Sequence, residues 1–122
     1  MSIEWKLENN NLALIHVSGK LGIDEHQRML SDLESIIQKT GQIKILILLN
    51  DFEGWEKAEG LEDHSVMDRI DPYIKKFAIV GDEEWRDMVT LFTLKGLRPM
   101  PIEYFTEDQE DTARQWLDSD SS

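Results

Sequence analysis

The 122-residue sequence has no cysteine, which excludes disulfides, thiol catalysis and thiolate metal sites. It has no apolar run near the roughly 20 residues that a membrane span requires. The first residues, Met1-Ser2-Ile3-Glu4-Trp5, lack the basic stretch followed by an apolar stretch that marks a secretory signal, so a cytoplasmic protein is expected. Basic side chains are scarce: 13 Lys and Arg stand against 25 Asp and Glu, for a net charge of -12. Phosphate recognition depends on Lys and Arg, so nucleic acid is not an expected partner. The same repulsion opposes general adsorption to anionic lipid, leaving only a local basic patch as a route to a membrane.

Repeats and low-complexity linkers are also missing. A chain of this length forms one domain that buries roughly two thirds of its unfolded surface. The expected division is a domain over residues 1–118 and a polar, disordered tail over 119–122.

Catalytic signatures are absent as well. The histidines, His16, His26 and His64, show neither the i, i+4 spacing nor the His-x-His pattern of a metal site on one element. No serine sits in a nucleophile elbow, and no glycine-rich phosphate loop is present. The carboxylate groups at Glu62-Asp63, Asp82-Glu83-Glu84, Glu107-Asp108 and Glu110-Asp111 lie at helix starts or on solvated faces. There capping and solvation explain them without a shifted pKa. No catalytic residue, metal or cofactor is expected.

What the sequence does contain is a dense apolar run, Ile43 to Leu49, ending at Asn50-Asp51-Phe52-Glu53-Gly54-Trp55. Seven residues, all branched and apolar except Lys44, are too few for a helix core and read as a strand covered on both faces. The run is expected to stop at Asn50-Asp51, with Gly54 permitting a sharp turn. Phe52 and Trp55 then lie at the strand's carboxyl edge, where open α/β sheets bind ligands and partners.

The flanking segments complete an alternating pattern. Ile3 to Leu7 and Leu12 to Val17 flank Asn9-Asn10-Asn11 as an antiparallel hairpin. In the second strand Ala13, Ile15 and Val17 face one way, and Leu12, Leu14 and His16 the other. Asp24 is expected to cap a helix with Met29, Leu30, Leu33, Ile36 and Ile37 on one stripe, ended by Gly41. A second helix is expected over 56–71, ahead of Pro72. A short strand follows at Phe77 to Val80, and then a third helix capped by Asp82, reaching about Leu94 before Gly96. A strand at Ile102 to Phe105 leads into a final helix capped by Thr106. The order β-β-α-β-α-β-α-β-α predicts a single α/β domain with a mostly parallel, mixed sheet and right-handed crossovers. Its expected core is Leu14, Ile15, Val17, Leu33, Ile36, Ile45, Ile47, Leu49, Ile79 and Trp85.

Several segments together resemble the SpoIIAA-like, STAS-related proteins of bacteria. They are Val17-Ser18-Gly19-Lys20-Leu21, Asn50 to Trp55, Ala78-Ile79-Val80-Gly81-Asp82 with Trp85, Tyr104-Phe105, and Ala113-x-x-Trp116-Leu117. The resemblance spans nearly the whole chain and implies a sheet with helices on both sides. It also implies kinship with anti-sigma-factor antagonists and, more remotely, with lipid-carrying CRAL-TRIO domains. In the antagonists the turn after the third strand reads Asp-Ser-Ser-Gly, and a partner kinase phosphorylates the second serine. This chain has Asp51-Phe52-Glu53-Gly54 there. Glu53 has no hydroxyl to phosphorylate, and one carboxylate carries less charge and fewer acceptors than a phosphate.

Three features bear on binding. Phe52, Trp55 and Trp85 should crowd one edge of the sheet, either flooring a pocket for an apolar ligand or plugging the sheet's end. Leu91 and Leu94 widen the third helix's stripe of Trp85, Met88, Val89 and Phe92 to roughly 220° at about 100° per residue. That is about twice what packing on a sheet alone needs. The 56–71 segment has a thin stripe and an interior Gly60 that costs about 1 kcal/mol relative to Ala, so it is a candidate lid.

The leading expectation is a non-enzymatic binder of a small apolar or lipid-like ligand, with transient peripheral membrane contact. Phe52, Trp55 and Trp85 would line its site, with Asp51 and Glu53 at the rim. The alternative is a STAS-like protein-interaction module lacking the phospho-serine switch and using the same edge, or the wide helix, against a protein partner or a second copy.

Overall fold

The computed structural model describes residues 3–8, 11–55, 70–92 and 100–118. Its centre is the apolar run, which forms the middle of a five-stranded sheet: β1 (Ile3–Glu8), β2 (Leu12–Leu21), β3 (Ile43–Trp55), β4 (Ile74–Gly81) and β5 (Ile102–Thr106). The strands lie side by side in chain order. β1 runs antiparallel to β2, and the other three pairings are parallel. Successive right-handed crossovers moving in one direction place their helices on the same face. Accordingly α1 (Ile23–Thr40) and α2 (Arg86–Phe92) share one side, and the closing helix α3 (Glu110–Asp118) covers the other.

The covering on both sides explains the composition of β3. Ile45 at 1% exposure packs toward α1, and Leu46 at 0% packs toward α3. Complete burial of each such side chain stabilises the fold by about 1.5–3 kcal/mol. The larger core joins Ala13, Ile15 and Val17 to the α1 stripe of Met29, Leu30, Leu33, Ile36 and Ile37. The smaller core joins Leu14, Leu46, Leu48, Ala78 and Val80 to Ala113 and Leu117 of α3. Of the ten expected core residues, Ile47 and Trp85 are only partly buried.

The helix ends follow local chemistry with one exception. Gly41, at φ +85°, closes α1 by donating its N–H to the Ile37 carbonyl at 2.8 Å. Asp24 is not the cap at the other end. β2 continues to Leu21, which leaves only Gly22, in extended conformation, to precede a helix that begins at Ile23.

β3 also differs from the expected strand. It does not stop at Asn50 but stays paired with β2 as far as Trp55, through register shifts between Ser18 and Gly19 and between Gly19 and Leu21. The irregularity coincides with left-handed backbone at Gly19, Asp51 and Gly54. Bulges absorb such residues without ending the ladder. The expected second helix and lid at 56–71 lie almost entirely outside the described residues, as do Leu94, Gly96 and the tail at 119–122.

At the amino edge of the parallel strands, charge is used to hold α3. Lys76 is buried and donates from Nζ to the Trp116 carbonyl at 2.7 Å, with the ammonium 5.1 Å from the Trp116 ring centroid. That carbonyl belongs to the last turn of α3, where a cation satisfies an orphan acceptor and complements the helix dipole. Two residues earlier, Arg114 donates to Glu8 of β1 at 3.2 Å and to Glu110 at 3.3 Å. Burial works against its charge, but these hydrogen bonds outweigh it and raise its pKa.

Candidate functional site

The carboxyl edge of the sheet is built around the continuation of β3. Side chains alternate across a strand, so Phe52 and Gly54 turn inward while Asp51 and Glu53 face solvent. Phe52 meets Trp85 edge to face, with ring centroids 5.0 Å apart and planes at 67°. Trp85 also lies against Gly54: a Cβ added there would come within 3.3 Å of Trp85 Cη2. With φ at +94°, this position favours glycine for its backbone as well.

Trp85 is held in place by Asp82. The Asp82 carboxylate accepts from the Glu84 N–H at 2.9 Å, capping the short 3-10 turn Glu83–Trp85. The Asp82 carbonyl accepts from the Trp85 N–H at 3.0 Å and from the Tyr104 hydroxyl at 2.7 Å. One backbone oxygen therefore ties the ends of β4 and β5 to the aromatic pair. Burial, helped by the neighbouring Asp82, pushes the Tyr104 phenol up to about 12. The Arg86 guanidinium lies 5.5 Å from the Tyr104 ring centroid and pairs with Glu83. Gly81 leaves no room for a side chain, since a Cβ there would sit 2.6 Å from the Tyr104 hydroxyl and 2.8 Å from Leu49 Cδ1.

Of the five expected site residues, four are brought to one edge with described side chains: Asp51, Phe52, Glu53 and Trp85. Trp55 pairs with Leu21 through its backbone, and its side chain lies outside the described residues. Tyr104, Gly81 and Arg86 also belong to this edge. Tyr104 was legible only as a last-strand aromatic, because its contact with Asp82 depends on the register of β4 against β5.

The Asp51 and Glu53 side chains make no hydrogen bond or ion pair among the described residues. Among those residues no cluster of His, Asp or Glu could hold a metal ion. His16 is exposed, its Nδ1 3.4 Å from Asn50 Nδ2. His64 and the His26 side chain lie outside the description. No helix among the described residues is long and apolar enough to cross a membrane. Chemically, the edge is a solvent-facing pair of carboxylates over a packed aromatic base.

Comparison with known proteins places this geometry. No curated protein matches the chain. A crystal structure of an uncharacterized protein of the DUF3478 family, with a SpoIIAA-like fold, from Shewanella loihica PV-4 superposes with a TM-score of 0.66 at 20% identity. The match covers 94% of this chain and 91% of that one, and it shows a shared fold. The SpoIIAA-like family model matches residues 12–118, from the start of β2 to the end of α3. The chain therefore belongs to the SpoIIAA-like family.

Proposed function

We propose that this protein is a non-enzymatic protein-interaction module of a regulatory kind that works without a phospho-serine switch. The observation that carries this reading is the alternation at residues 51–54: Asp51 and Glu53 point to solvent while Phe52 and Gly54 anchor the same stretch of β3 from below. The resemblance to the anti-sigma antagonists puts Glu53 where their regulated serine stands, on the surface that meets a protein partner. A fixed carboxylate there gives a constant negative charge rather than a switchable one.

The apolar-ligand reading draws less support. Phe52 and Trp85 contact each other, and Trp85 closes over Gly54, so these rings are occupied in packing rather than facing a ligand. The exposed side chains of this turn are carboxylates, which anionic lipid headgroups repel, so a peripheral membrane role draws none.

The test is quantitative affinity purification from native cells with wild-type protein, an Asp51→Lys/Glu53→Lys variant, and a Lys39→Glu variant on the far end of α1. The reading expects a protein retained by wild type and Lys39→Glu and lost from the double variant, with all three equally folded. Identical recovery by all three would refute it. A native mass exceeding the chain mass, with the excess lost on denaturation, would return the ligand reading to first place.

A further inference from the structure

β1 is an edge strand whose outer side is unpaired among the described residues, with an apolar face and a charged face. On the α1 side of the sheet it carries Ile3, Trp5 and Leu7, opposite Val17, Ile15 and Ala13. Trp5 and Leu7 are 39% and 42% exposed, two of the large apolar side chains the fold leaves open. Trp5 is nevertheless held in one orientation, because its indole N–H donates to the Asp32 carboxylate of α1 at 2.8 Å. On the other side β1 alternates Glu4, Lys6 and Glu8. Glu4 has no charged partner among the described residues, and Lys6 has only Glu8 on its own strand at 3.7 Å.

We propose that β1 pairs with β1 of a second copy, antiparallel about a two-fold axis perpendicular to the sheet, with Trp5 opposite Trp5 and Glu4 opposite Lys6. The two sheets become one ten-stranded sheet. A symmetric antiparallel edge contact must keep each face on its own side, so residues can oppose only others of the same parity. Few registers remain, and charge selects among them. With Trp5 on the axis, Glu4 of each copy faces Lys6 of the other, and Ile3 faces Leu7. Shifting the axis to Lys6 sets Lys6 against Lys6 and Glu4 against Glu8. Shifting it to Glu4 sets two glutamates together. Placing it at Leu7 pairs Lys6 with Glu8 but keeps only residues 6–8 of the strand. Like charges directly opposite are destabilising, and opposite charges and aromatic pairs stabilise. The register centred on Trp5 therefore satisfies both faces at once. Addition of a strand to an open edge also pairs backbone groups that otherwise face water.

The test is sedimentation velocity across a concentration series, with wild type, Glu4→Lys and Lys6→Glu. Wild type is expected to dimerise reversibly. Each single variant sets like charges opposite each other twice and should weaken its own dimer about tenfold or more. Mixing the two single variants should restore association, as a heterodimer, because every position 4 then faces an opposite charge at position 6. That rescue separates the proposed register from any other and from simple misfolding. Wild type that stays monomeric throughout the series overturns the proposal, as does a dimer indifferent to both substitutions or single variants that fail to rescue each other.

Discussion

The two ends of the parallel strands use their charged residues in opposite ways. At the amino edge, Lys76 and Arg114 spend their donors inside the molecule, on the Trp116 carbonyl, Glu8 and Glu110, and so fix α3 against the sheet. At the carboxyl edge most of the fixing is done by rings and a backbone oxygen: Phe52 on Trp85, Trp85 on Gly54, and Tyr104 and Trp85 on the Asp82 carbonyl. The Asp82 carboxylate only caps the turn that carries Trp85. The Asp51 and Glu53 side chains then stand outside that framework, with no polar partner among the described residues. The comparison shows how a strongly acidic protein separates structural charge from surface charge. Polar groups that hold α3 are partnered within the fold, and the solvent-facing pair rests on a base of packed rings.

The largest expected effect comes from removing the aromatic base. Phe52→Ala should cost about 3 kcal/mol in urea unfolding, the scale of a buried Phe truncation, and leave Trp85 without its packing partner. A cost well under 1 kcal/mol would show that the carboxyl edge is not a packed plug.

A smaller loss is expected at the other end. Lys76→Met keeps an apolar stem but leaves the Trp116 carbonyl without its donor, at about 1–2 kcal/mol. Amide exchange in the last turn of α3 should accelerate, while Asp51 and Glu53 keep native exchange. A stability change without that localisation would break the contrast between the edges.

The smallest effect appears only in alkali. The Tyr104 phenol is raised from 10.0 to about 12, so the fold favours its neutral form. Its contribution is fully present below pH 10 and is lost as pH rises toward 12, because the unfolded chain releases the proton first. The stability difference between wild type and Tyr104→Phe should therefore shrink across that window. A difference that is flat with pH would mean the phenol is not buried beside the Asp82 charge as the structure places it.

Much of this architecture is legible locally. The branched run Ile43 to Leu49, the α1 stripe, Gly41 as a helix stop and Asp82 as a cap each follow from neighbouring residues, and each forms as read. What escapes a linear reading is set by register and long-range contact. Asn50-Asp51 and Gly54 carry turn chemistry, yet β3 continues through them because β2 offers a bulged partner. Lys76 lies ahead of the strand read at Phe77 to Val80, yet it belongs to β4 and is buried, its ammonium donating to a carbonyl 40 residues away. The aromatic residues of the candidate site were legible as a cluster. Their role as a plug was legible as one of two alternatives, and the choice between them depends on Trp85 lying over Gly54.

Site-specific photo-crosslinking in native cells tests the partner-facing role of the carboxyl edge most directly. A photoreactive amino acid would replace Glu53 in one variant and Gln38, exposed near the far end of α1, in another. A discrete protein adduct formed from position 53 and absent from position 38 is the expected result. No adduct at 53, or the same adducts from both positions, would show that the exposed end of β3 over the Phe52–Trp85 base is not where this protein meets its partner.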